Sequence, residues 1–71
     1  MRKKKGRKEE YRLYFSEGTD RFYLLDIIAH DGMEHPVFTA NSKDAMTFPS
    51  VEIATNYGRR LRKHGYMMHI Q

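Results

Sequence analysis

The chain has no cysteine among its 71 residues. No disulfide can staple the fold, no thiolate can act as a nucleophile, and no zinc site can draw on sulfur, a composition that suits a reducing compartment. Long hydrophobic runs are missing too. The longest apolar stretches, Phe22 to Leu25 and Ile27 to Ala29, fall far short of the roughly 20 residues a helix needs to cross a bilayer. The basic opening segment leads into no apolar run of signal-peptide length. The expectation is a soluble, cytoplasmic protein that does not engage a membrane.

Recognisable chemistry is scarce as well. No serine or threonine sits in a nucleophile motif, and no glycine-rich loop is built to cradle phosphate. Zinc-finger, helix-turn-helix and leucine-zipper signatures are missing, and no stretch matches the glycine-aromatic pattern of RNA-binding sheets. His30, Asp31, Glu34 and His35 form the one constellation that suggests a metal or acid-base site. A structural zinc ion needs four ligands, whereas Asp, Gly, Pro and His gather in turns for backbone reasons, so this segment reads as a polar turn. A domain of this size also has difficulty enclosing a pocket of several hundred cubic ångströms. The reading is a binding module with no catalytic residue, no cofactor and no metal site.

What is present points to one small folded body with a charged lead-in. At 39% hydrophobic and 13% aromatic residues the chain is apolar enough to form a core, and its length allows one domain only. The net charge of +4 is uneven. Arg2, Lys3, Lys4, Lys5, Arg7 and Lys8 precede Glu9 and Glu10, while Tyr11 to Gln71 holds seven basic and seven acidic residues. We divide the chain into a disordered basic tail over 1–9 and a single α+β domain over 10–71. The tail reads either as an arm for DNA or RNA phosphates, acting through counterion release, or as a solvated end.

Within the body, Tyr11, Leu13 and Phe15 alternate with Arg12 and Tyr14 as in a half-buried strand. Residues 16–20 have turn chemistry, and Arg21 to Ile28 reads as a second strand, giving an antiparallel hairpin. Residues 29–36 read as a second turn, with Pro36 ending continuous pairing. Val37 to Ala40 is compatible with a short third strand, whose pairing the residues leave open, and residues 41–48 read as a polar connection. Ser50 caps a helix from Val51 to about His64, with Glu52 in its first turn and Gly65 as its left-handed stop. Gly58, in the helix interior, is read as permitting close approach to the sheet. Tyr66 to Ile70 is the last strand. The expected fold is α+β: three or four largely antiparallel strands with one helix packed on one face, in the order β-β-(β)-α-β. Leu13, Phe15, Leu24, Ile27, Ala54, Tyr57, Leu61, Met68 and Ile70 are the expected core.

One helix cannot cover every aromatic and methionine side chain that the strands carry. Tyr11, Tyr14, Tyr23, Tyr66 and Met67 are therefore candidates for an exposed protein-binding surface, and uncovered strands also give reason for a homodimer. Arg59, Arg60, Arg62 and Lys63 near the helix end, together with the tail, are the candidates for the alternative, nucleic-acid binding. These four cations have a plainer reading as complements to the helix dipole.

The hairpin from Tyr11 to Ile28, with Phe48, Pro49, Ser50 and Ala54 opening a helix that runs through Leu61 to Gly65 and a strand ending at Ile70, resembles the small strand-strand-helix-strand proteins encoded by bacteriophages and other mobile elements. The resemblance spans about residues 11–70. It implies a protein that binds a host protein and modulates it. A second similarity is to the arm-binding domains of phage-type integrases, with a basic lead-in, three strands and a helix. Against it, strands two and three here lack the basic residues such domains present to DNA, and a fourth strand follows the helix.

Overall fold

The computed structural model describes residues 10–71. The basic run Arg2 to Lys8 and the tail boundary at Glu9 lie outside the described residues. Among the described residues the body is a four-stranded antiparallel sheet with one α-helix and a 3-10 turn at Ser42–Asp44, the α+β class expected. Strand β1 spans Leu13–Glu17, β2 Asp20–His30 and β3 Met33–Thr39; helix α1 spans Val51–Arg62, and β4 is His69–Ile70. The spatial order is β3-β2-β1-β4.

Register decides which side chains meet the helix. Tyr14 pairs with Tyr23, Phe15 with Phe22, Leu24 with Phe38 and Leu13 with Ile70. Because side chains alternate between faces, Leu13, Phe15, Phe22, Leu24 and Phe38 share the helix side, while Tyr14, Arg21, Tyr23 and His69 share the other. A bulge between Leu24 and Asp26 shifts the β2–β3 register. Its effect is to bring Ile27 back to the helix side and to turn Ile28 away.

The third strand is longer than its sequence suggests. It begins at Met33, not Val37, and runs through Pro36 opposite Ile27. Pro36 was expected to end pairing, but β3 is an edge strand, where a missing N–H is tolerated. The turn contracts to Asp31 and Gly32, whose φ values of 54° and 75° are those of a two-residue hairpin loop of the primed type.

The helix is built as its ends require. The Ser50 hydroxyl accepts the Ile53 N–H at 3.2 Å. At the other end the Gly65 N–H donates to the Arg62 carbonyl and the Tyr66 N–H to the Leu61 carbonyl, at 3.0 and 3.2 Å, with Gly65 at φ 93°. That is the glycine-terminated pattern that satisfies the last carbonyls, and it stops the helix at Arg62, two residues before His64. The same bonds hold Tyr66 beside the helix end, so the last strand shrinks from the expected 66–70 to His69–Ile70.

Leu13, Leu24, Ala54, Leu61 and Phe48 form the buried core. Each large apolar side chain removed from water here contributes about 1.5–3 kcal/mol. Ile27, Tyr57 and Met68 are partly buried against this core, and Phe15 is half-buried. Ile70, expected inside, is 37% exposed because β4 lies at the sheet edge. Phe48 was not among the expected core residues. It enters because the connection over 41–48 is more than a polar loop: the Met46 N–H donates to the Leu24 carbonyl at 2.9 Å, and Phe48 and Tyr11 exchange bonds of 2.8 and 2.9 Å. Residues 46–48 thereby bridge β2 and the approach to β1.

Candidate functional site

The sheet face away from the helix carries the densest group of candidate side chains. Tyr14 stands between Tyr23 and His69, with ring centroids 5.8 and 5.5 Å away, and the Arg21 guanidinium lies 4.5 Å above its ring. Cation and ring hold each other in place. Tyr23, by contrast, is only 7% exposed. The neighbouring connection passes close by, tied down where Arg12 Nε donates to the Ser42 carbonyl at 2.8 Å.

Farther along the β2–β3 hairpin the same face is open. Ile28 pairs with His35 and His30 with Met33, which groups two apolar side chains with two imidazoles. Ile28 is 50% exposed and Met33 59%. The rings of His30 and His35 are 6.3 Å apart, and His30 Nε2 lies 3.2 Å from the Asp31 carboxylate. Among the described residues no three side chains of ligating type gather to hold a metal ion.

The five residues expected to make one protein-binding surface are dispersed. Tyr14 and Tyr23 share the open face. Tyr11 packs against the core, and Tyr66 joins Phe15 and Phe38 on the helix side at centroid distances of 5.9 and 5.0 Å. Met67 is 61% exposed and borders a groove between α1 and β4. Ile28, Met33, Arg21 and His69 were not singled out from sequence. Alternation would have found Arg21 and His69 once Tyr14 was placed, whereas Ile28 depends on the bulge, which leaves no mark in the residue pattern.

The basic cluster on the helix is also divided. Arg60 bonds the Glu34 carboxylate across to β3 and lies 4.9 Å from the Tyr57 ring centroid. The hydrogen bond that Arg60 donates to Glu34, followed by that carboxylate's charge, raises the Arg60 pKa above its ordinary value, so this guanidinium serves as a strut between helix and sheet. Arg59, Arg62 and Lys63 are exposed and, among the described residues, pair with no carboxylate. No described helix is long and apolar enough to cross a membrane. No protein-family model matches the chain, and no curated protein or solved structure matches it either.

Proposed function

We propose that the chain is a non-enzymatic binding module of the cytoplasm that captures a protein partner on the sheet face opposite α1. The carrying observation is the exposure of Ile28 and Met33 on regular, paired strands. Covering such side chains is favourable by about 25 cal/mol per Å² of apolar surface removed from water, and side chains on a preformed sheet lose little further backbone freedom on binding. The outline resemblance of residues 11–70 to small phage and mobile-element proteins suggests a host protein as the partner. Both residues are exposed, so the double substitution Ile28→Asp, Met33→Asp should leave the fold intact. We expect immobilised wild-type chain to retain a stoichiometric bacterial protein at both low and high salt, and the double variant to lose it. Equal capture by the two proteins would rule out this face.

A second reading is favoured by the unpaired state of Arg59, Arg62 and Lys63 among the described residues. With the run Arg2 to Lys8 they would contact the phosphates of DNA or RNA. Binding of that kind weakens steeply as salt rises, in proportion to the phosphates neutralised, whereas capture through an apolar patch does not. The same salt comparison separates the two.

A further inference from the structure

The sheet has two edges, and they are not equivalent. On β3 the edge contains Pro36, which has no N–H to offer an added strand. On β4 nothing of the kind intervenes. Arg12 and Gln71 exchange two bonds, at 3.2 and 2.9 Å, and the paired positions Leu13 and Ile70 come next. In an antiparallel ladder bonded and non-bonded pairs alternate, so the N–H and carbonyl of Ile70 point away from β1, toward the open edge. The two-residue length of β4 limits runaway pairing between copies and leaves room for one short segment.

Beside this edge lies a groove of about 240 Å³ between α1 and β4, floored by Leu13, Ala54, Gly58 and Met68. It is smaller than the roughly 300–1,000 Å³ of small-molecule pockets and suits a side chain or two. Gly58 gives it depth. A Cβ built there would stand 3.8 Å from Leu13 Cδ2 and 3.9 Å from Met68 Cβ, ordinary contact distances. The expected close approach of helix to sheet therefore does not require glycine, a poor helix former; an alanine would fit and would fill part of the groove floor. Arg59 and Arg62 also line the groove, without carboxylate partners among the described residues.

We propose that this groove and edge receive an extended acidic segment of a partner protein, which adds as a strand along β4, sets an apolar side chain over Gly58 and places a carboxylate against Arg59 and Arg62. Strand addition supplies main-chain bonds, and pockets for alternate side chains supply the selectivity. The proposal shares with the preceding section the premise that the chain binds protein, but it uses different residues.

The test is fluorescence polarisation with the full chain and a labelled eight-residue peptide in which every second residue is threonine and the positions between alternate valine and glutamate. We expect saturable binding, weaker by about tenfold when lysine replaces glutamate, since that swap sets like charges together. Gly58→Ala should raise the melting temperature by a few degrees through helix propensity while weakening the peptide about tenfold through loss of the groove floor. Arg59→Glu with Arg62→Glu should reverse the preference toward the lysine peptide. Gly58→Ala keeps the test decisive should that double reversal impair folding. Ile28→Asp with Met33→Asp should leave peptide affinity unchanged, so failure at the open face and failure at the groove are told apart. The proposal is overturned if neither peptide binds, if both bind alike, if Gly58→Ala binds as tightly as wild type, if an oligonucleotide is the ligand lost on charge reversal, or if Gly58→Ala dissolves a dimer.

Discussion

Single residues carry distinct duties that their types alone do not reveal. Ser50 is a small polar residue in a loop, yet its hydroxyl satisfies the Ile53 N–H that the first helical turn leaves without a partner. Ser50→Ala should destabilise the domain by about 1 kcal/mol, read as a lower midpoint with unchanged slope in urea unfolding; an unchanged midpoint would mean that the cap is idle. The five tyrosines divide in a similar way. Tyr14 is held on the open face between His69 and Arg21, and Tyr66 sits under the helix end. Sequence placed both in one candidate surface because tyrosine suits an exposed sheet and a half-buried cluster equally well.

At the scale of elements, most of the fold is legible in the residue pattern. Ser50, Glu52 and Gly65 bracket the helix, and alternation from Tyr11 to Phe15 marks the first strand, which the structure shifts to Leu13–Glu17, leaving Gly18 and Thr19 as its turn. Two features of the β2–β3 hairpin escape. The bulge at Leu24 and Asp26 arises from how β2 meets its neighbours, and apolar residues on both sides of β2 conceal which of them faces inward. The length of β3 escapes because Pro36 signals a break and only an edge position excuses it. The open-face site inherits this illegibility, since Ile28 is turned outward by the bulge. The β2–β3 turn is the place to probe the longer hairpin. Gly32 has φ 75°, where a side chain is strained, so Gly32→Ala should cost about 1 kcal/mol. Amide exchange should quicken first in residues 28–35. Uniform quickening across the domain would show instead that the hairpin does not open independently.

For the whole molecule, the described residues hold a buried core and a four-stranded sheet. Leu13, Leu24, Phe48, Ala54 and Leu61 bury one another, and among the described residues the strand pairings draw on positions from Tyr11 to Gln71. Residues 2–9 carry no apolar side chain with which to offset the cost of ordering, so deleting residues 1–9 should leave the thermal midpoint within about a degree, while abolishing most salt-sensitive affinity for DNA or RNA. Unfolding of the shortened chain would place the boundary of the domain earlier than Glu10. Tight, salt-sensitive binding by the shortened chain would assign the phosphate contacts to Arg59, Arg62 and Lys63 alone.

The exchange of bonds between Arg12 and Gln71 also makes the domain nearly a closed ring. Residues paired in this way have Cα atoms only about 5.5 Å apart, so a linker of a few residues could join 10 to 71 without disturbing the sheet. New ends could then be opened at the exposed Gly18–Thr19 turn, as in a circular permutation. By the same geometry the domain could sit within a surface loop of a larger protein, entering and leaving its host at nearly one point.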